Sequence, residues 1–209
     1  MLEFSLNHIL LDSHKIIPSK IVCIGRNYVD HIAELSNEVP DHMVVFVKPN
    51  SAISTTLHSF HQEPLHYEAE LSFVYQQGKF VAVGLGLDLT KRGLQGQLKA
   101  SGLPWERAKS FDGSAVFSEF VAIDTLDPTL SLELSINDQL IQQGGISLMM
   151  YKPQQILQEL QSFMTLEDGD IVMTGTPKGV GVINSGSQFV GRVISEKGCL
   201  LEQHWVAQP

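Results

Sequence analysis

Two glutamates one residue apart, Glu68 and Glu70, lie within the apolar run Leu65-His66-Tyr67-Glu68-Ala69-Glu70-Leu71-Ser72-Phe73-Val74. The alternation is that of a half-buried strand. It sends Glu68, Glu70 and Ser72 to one face and Ala69, Leu71 and Phe73 to the other. Two carboxylates on one partly desolvated face repel, and one protonates unless a cation sits between them. A divalent, oxygen-preferring metal is the simplest such cation. A third acid, Asp88, is embedded in Val83-Gly84-Leu85-Gly86-Leu87-Asp88-Leu89, where Gly84 and Gly86 permit close approach of another segment or a ligand. If Asp88 faces the pair, the three carboxylates make an oxygen-rich octahedral site suited to Mg²⁺ or Mn²⁺. A solvent-facing glutamate pair with a helix-capping aspartate reads the same residues as well.

Further groups could do chemistry beside them. In Arg26-Asn27-Tyr28-Val29-Asp30-His31-Ile32-Ala33-Glu34 a short helix makes His31 and Glu34 neighbours at i, i+3. A carboxylate that orients an imidazole is a general-base arrangement, and a solvated polar helix face is the plain alternative. Thr174-Gly175-Thr176-Pro177-Lys178-Gly179-Val180-Gly181 lacks the spacing of a P-loop. It could present N–H groups and a hydroxyl to a substrate carboxylate, or be a glycine-rich turn. Lys109, in Trp105-Glu106-Arg107-Ala108-Lys109-Ser110-Phe111-Asp112, is either a catalytic or a surface lysine.

The elements that must position these groups are mostly strands. Strand-like runs cover Lys20 to Ile24, Val44 to Lys48, His66 to Tyr75, Phe80 to Leu89, Phe117 to Ile123, Leu130 to Ile136, Asp170 to Thr174 and Gln188 to Ile194. Gln76-Gln77-Gly78-Lys79 reads as a hairpin turn and Asn137-Asp138-Gln139 as a second turn. Helical patterns cover Asn27 to Leu35, Leu89 to Ala100 and, most clearly, Pro153 to Phe163. Strands and helices do not alternate regularly, so a mixed, mainly β, α+β fold is expected over a doubly wound sheet. No repeat or linker divides the 209 residues, which read as one domain over 1–209.

The net charge of -9 argues against a nucleic-acid partner. No apolar stretch approaches a membrane span, no signal peptide is evident, and the two cysteines, Cys23 and Cys199, form no disulfide framework. A reducing cytoplasm and a buried Cys23 thiol are expected.

The order and wording of these pieces resemble the fumarylacetoacetate hydrolase family from about Lys20 to about Val193. The most specific matches are Ile24-Gly25-Arg26-Asn27-Tyr28, Leu65-His66-Tyr67-Glu68-Ala69-Glu70-Leu71, Gly102-Leu103-Pro104-Trp105, Lys109-Ser110-Phe111-Asp112 and Gly169-Asp170-Ile171-Val172-Met173-Thr174-Gly175-Thr176-Pro177. His31-x-x-Glu34 and the compact length look most like the small acylpyruvase and oxaloacetate decarboxylase/tautomerase branch. The resemblance implies a mixed β-sheet roll, a homodimer, and Mg²⁺ or Mn²⁺ at Glu68, Glu70 and Asp88. His31 and Glu34 match a water-activating dyad on a segment that orders over substrate. Lys109 matches a lysine facing the reacting substrate, and Arg26, Tyr28, Gln95 and Thr176 match positions near the bound oxo acid. Two departures concern the substrate pocket: Gly93 follows Thr90-Lys91-Arg92 where the family often has Asp, and Asp112 follows Phe111 where it usually has Pro.

The implied substrate is a small 2-oxo acid carrying a second carbonyl or carboxylate. Hydrolysis of acylpyruvates or decarboxylation of oxaloacetate, through an enolate that the metal stabilises as a Lewis acid, is the expected activity. Tautomerisation or isomerisation of an oxo-diacid is the alternative. A metal-binding protein without catalysis would require none of His31, Glu34 and Lys109.

Overall fold

The computed structural model describes residues 6–34 and 40–209. Among these, an eight-stranded mixed sheet runs in the order Val44–Pro49, Lys20–Gly25, Ile171–Met173, Ala69–Gln76, Lys79–Asp88, Ala115–Phe117 and Ile53–Ser54, with Val121–Ala122 added beside Lys79–Asp88. Two of its pairings are parallel, Ile171–Met173 on Lys20–Gly25 and Ala115–Phe117 on Ile53–Ser54. A four-stranded antiparallel sheet follows the order Gln139–Gly145, Ser131–Ile136, Gln188–Ser195, Gly198–Val206. This is the mainly β, mixed-sheet architecture expected.

Period-two alternation splits the core. Val22, Ile24, Leu71, Phe73, Leu85 and Leu87 join one cluster with residues of the four-stranded sheet and the helix Pro153–Phe163. Ile21, Cys23, Val74, Phe117 and Met173 join a second cluster with Ile9. The central strands are therefore buried on both faces, not half-buried: Glu70 and Ser72 are as enclosed as Leu71 and Phe73. Cys23 is a buried free thiol, as expected.

Several elements differ from their sequence pattern. The run His66 to Tyr75 is broken at Glu68 into His66–Tyr67 and Ala69–Gln76. The run Phe117 to Ile123 breaks after Phe117, because Phe120 turns inward and its ring occupies the space where Gly84 has no side chain. Gly86 likewise makes room for Ser72, Met173 and Phe117, so both glycines serve packing. The second helix begins at Arg92, not at Leu89, since Leu89 and Thr90 still bond to Ser114 and His66. The first helix covers Val29–Glu34, and Leu35 lies outside the described residues. Both proposed turns are present, with Gln77, Gly78, Asn137 and Asp138 all at positive φ as a tight two-residue hairpin requires. No helix among the described residues is long and apolar enough to cross a membrane.

Candidate active site

A one-residue bulge decides which acids meet. The hairpin pairs Lys79 with Gln76 and Phe80 with Tyr75, then shifts so that Ala82 pairs with Val74 and Gly86 with Glu70. From there Asp88 stands opposite Glu68, and its N–H donates to the Glu68 carbonyl at 2.8 Å. Without the shift Asp88 would face Tyr67, and every later side chain would change faces. The result is a buried cluster in which carboxylate oxygens of Glu68, Glu70 and Asp88 lie within 4.8 Å of one another.

Cations neutralise this cluster unevenly. Lys109 Nζ donates to Glu68 Oε2 at 2.7 Å, Asp88 Oδ2 at 2.6 Å and Thr90 Oγ1 at 2.6 Å. Burial disfavours the Lys109 charge, but Asp88 and Glu68 outweigh it and raise its pKa. Arg92 adds a hydrogen bond to Glu68 Oε1. Burial would push Glu68 up, yet Lys109, Arg92 and His31 hold it far below the usual carboxylate range. Glu70 is the acid short of cations. It accepts a backbone hydrogen bond from Gly175 at 2.8 Å, and burial, Asp88 and Glu68 push its pKa well up. Asp88 Oδ1 is a buried oxygen with no hydrogen bond among the described residues; Lys48 Nζ lies 2.9 Å away, off hydrogen-bond geometry. Three hard oxygen donors, one under-neutralised and one with a free lone pair, fit a divalent cation such as Mg²⁺ or Mn²⁺.

The glycine-rich loop serves the protein's own acids. Gly175 gives its N–H to Glu70 and Gly179 gives its N–H to Glu34 Oε1 at 2.9 Å. Gly175 has φ 96°, and a Cβ there would sit 2.8 Å from Asn27 Cβ, so another residue would not fit. Buried Asn27 locks the neighbouring segments together through Thr174 O, Tyr151 O and Tyr151 N. Buried Gln142 holds Thr176, donating to its Oγ1 at 2.8 Å and accepting from Ala69 N at 3.0 Å.

His31 is buried, and its Nδ1 lies 3.1 Å from Glu34 Oε2. A carboxylate only accepts, so Nδ1 carries the hydrogen and Nε2 is the basic nitrogen. His31, Glu68, Glu70, Asp88 and Lys109 face one cavity with about 30 Å³ of free space, room for an ion or one or two waters. Arg26, Phe46, Arg92, Gln95, Lys99, Trp105 and Thr176 also line it. Arg26 adopts φ 56°, a left-handed conformation that side chains rarely take. Tyr28 does not line the cavity: it is buried in the core beside Gly144, its hydroxyl has no partner among the described residues, and burial and Glu70 push its pKa up. Glu34 also stays outside and acts on the cavity through His31.

Three cations escaped sequence reasoning: Lys48, Arg92 and Lys99. Lys48 stands at the end of an apolar strand run, where a lysine is ordinary. Arg92 and Lys99 flank Gln95 at i−3 and i+4, so all three share one helix face.

A family model, Fumarylacetoacetate (FAA) hydrolase C-terminal, matches residues 20–203. The chain belongs to the fumarylacetoacetate hydrolase family. Its relatives include the oxaloacetate tautomerase YcgM of Escherichia coli, 37% identical over 82% of this chain and 86% of that one. The mitochondrial oxaloacetate tautomerase FAHD1 of Bos taurus is 40% identical over 81% and 84%. A structure from Oleispira antarctica, provisionally named a fumarylacetoacetate isomerase/hydrolase, superposes with a TM-score of 0.91 at 32% identity, covering 97% of this chain and 100% of that one. Like other fumarylacetoacetate hydrolase family members, this chain is an enzyme. The two departures from the family wording spare the cavity. Gly93 and Leu94 give their N–H groups to Glu63 Oε1, which serves the start of the helix where an aspartate would repel it. Asp112 is exposed and does not line the cavity.

Proposed function

We propose that this chain is a divalent-metal-dependent enzyme acting on small 2-oxo acids, with keto–enol exchange of oxaloacetate as its principal reaction. The observation that carries the reading is the convergence, in one cavity, of three buried carboxylates, a buried ammonium and an imidazole oriented by a glutamate. The relatives that are oxaloacetate tautomerases support the choice of substrate. Glu68, Glu70 and Asp88 would hold Mg²⁺ or Mn²⁺, which when bound supplies Lewis-acid polarisation of the substrate carbonyl.

In the keto-to-enol direction His31 Nε2 takes the proton from the carbon next to the 2-oxo group and the imidazolium gives it to the carbonyl oxygen, with the reverse for enol to keto, while Glu34 holds the ring and stabilises the imidazolium that forms. Lys109, fixed by Glu68, Asp88 and Thr90, offsets negative charge on the substrate oxygens. Arg26, Gln95 and the Thr176 hydroxyl orient the oxo acid. Tyr28 supports this wall from behind. The Glu34-oriented imidazole also favours a second reading, hydrolysis of acylpyruvates, in which His31 takes a proton from water. Decarboxylation of oxaloacetate uses the same groups and needs no attacking water.

The reading carries a homodimer and an aqueous reducing compartment, the cytoplasm for a bacterial chain. Decay of enol oxaloacetate absorbance, run beside pyruvate release from oxaloacetate and acetylpyruvate with and without Mg²⁺, tests it. Enol decay accelerated by protein plus metal is the expected result; pyruvate release alone would give the hydrolase or decarboxylase reading precedence, and inactivity on all three would refute both.

A further inference from the structure

The helix Arg92–Ala100 turns one stripe toward the cavity: Arg92, Gln95 and Lys99, spaced i, i+3, i+7. Arg92 is engaged, donating to Glu68 and to Gln95 Oε1. Lys99 stands otherwise. Its Nζ lies 4.8 Å from the centroid of Trp105, whose ring leans against Phe46 at 6.0 Å. Both rings line the same cavity. Among the described residues no carboxylate pairs with Lys99. Burial, then the charges of Arg26 and Arg92, lower its pKa to about 8. Keeping a half-buried ammonium near two guanidinium groups, offset only in part by Glu68 and paired with no carboxylate among the described residues, is unfavourable for the free protein. An incoming anion gains the Lys99 charge, which no carboxylate among the described residues pairs.

The acidic face repels a carboxylate except where a metal intervenes, so one cavity has two ends of opposite preference. A monocarboxylate with a neutral tail uses only the metal end. We propose that Lys99, on its Trp105 shelf, is a specificity-determining residue that binds the distal carboxylate of a 2-oxo diacid and sets the preference for diacids over acylpyruvates with neutral tails. The inference rests on the oxo-acid reading of the site and specifies its substrate class.

The test compares wild type, K99M and K99R, each loaded with Mg²⁺, on oxaloacetate and acetylpyruvate, with oxalate as an inhibitor that lacks a distal carboxylate. K99M is expected to lower the ratio of kcat/KM for oxaloacetate over acetylpyruvate by ~10- to 100-fold, the scale of one hydrogen bond to a charged group. The loss is expected in KM for oxaloacetate more than in kcat, and K99R is expected to recover part of the ratio. Oxalate inhibition should change less than oxaloacetate KM does. Equal losses on both substrates, a fall in kcat with KM unchanged, or a K99M indistinguishable from wild type would overturn the assignment while leaving the oxo-acid reading intact. A wild type inactive on both substrates refutes the oxo-acid reading itself.

Discussion

The ammonium of Lys48 lies 2.9 Å from Asp88 Oδ1, with side-chain exposures of 0% and 1%. The same ammonium bonds to the Lys109 carbonyl, and to Ser114 O and Oγ at 3.1 Å each. One fully buried lysine thus ties a ligand candidate of the metal to the loop that carries the lysine facing the substrate. Removing it leaves Asp88 Oδ1 without a cation, while Oδ2 stays with Lys109, and strips the Lys109 and Ser114 carbonyls of their buried donor. K48M is expected to destabilise the fold by about 3–5 kcal/mol, the usual cost of breaking a buried pair. Denaturant unfolding of the metal-free protein measures this, and a change below about 1 kcal/mol would reduce Lys48 to a packing residue.

Glu70 separates metal binding from folding. Its carboxylate is under-neutralised, and its hydrogen bond comes from a backbone N–H that an amide oxygen accepts equally well. E70Q is therefore expected to fold with stability equal to or above that of the metal-free wild type, and to lose metal-dependent activity. Calorimetric titration with Mn²⁺ should give an affinity at least ~10-fold weaker, the scale of losing one charge-assisted contact. Wild-type Mn²⁺ affinity in E70Q would refute the three-carboxylate site.

The role of His31 is read from a comparison of reactions. H31A is expected to slow oxaloacetate keto–enol exchange and acylpyruvate hydrolysis by roughly 100-fold or more, the scale of a positioned acid/base. Decarboxylation, which needs no attacking water, should suffer less. E34Q keeps an acceptor for Nδ1–H but lacks the charge that stabilises the imidazolium, so a smaller loss in the same two reactions is expected. Equal losses in all three reactions would assign His31 to closure of the cavity instead.

Asp170 governs acid stability. Its carboxylate accepts from Ser19 N and Oγ, Lys20 N and Glu167 N, and pairs with Lys20 Nζ at 2.5 Å. Burial pushes its pKa up, but the hydrogen bonds from Lys20, Ser19 and Glu167 prevail and hold it below the ordinary value. A carboxyl depressed in the folded state contributes stability that is present above its unfolded pKa, about 3.9, and is lost as pH falls through the lower folded value. D170N should remove part of that acid-side slope and destabilise the fold at pH 7. Unfolding midpoints of the two proteins between pH 3 and 7 measure both effects, and parallel curves would exclude Asp170 as a source of the slope.

The acidic cluster was legible because carboxylates in an apolar run need an explanation wherever they fall. Its assembly was not. Alternation alone puts Glu68 and Glu70 on one face, but the partner of Asp88 depends on the bulge between Phe80 and Ala82, which no residue type announces. The break at Glu68 and the break before Phe120 arise from tertiary packing, which overrides the local pattern. The strand Gly198–Val206 escaped because most of its residues are exposed, so no apolar period marks it. Lys48 escaped because one lysine at a strand end is ordinary until the structure closes over it. Arg26, Gln95 and Thr176 came from the family wording and line the cavity; Tyr28 came the same way and packs in the core behind it.

The segment that carries His31 also bears on motion. Residues 28–41 are rich in polar and turn-forming types, which suggests a lid that closes over bound substrate; Leu35–Val39 lie outside the described residues. Its first part is better anchored than composition implies, because Tyr28 and Ile32 are each 2% exposed and Ile32 N–H bonds to Tyr28 O at 3.0 Å. Among the described residues, the ties of Val29–Glu34 to the glycine-rich loop are the Glu34–Gly179 hydrogen bond and the exposed Asp30–Lys178 pair at 3.3 Å. Two such contacts at the surface are together worth about 1–2 kcal/mol, small enough for frequent opening. Opening would free Glu34 from Gly179 and withdraw the orienting carboxylate from His31, so closure and assembly of the base are one event. Amide hydrogen exchange, read with Mg²⁺ alone and with Mg²⁺ plus oxalate, is expected to show rising protection from His31 onward and at Gly179 when oxalate is added, with Tyr28 little changed. Strong protection throughout in both conditions would mean a fixed helix, with the base assembled before substrate arrives.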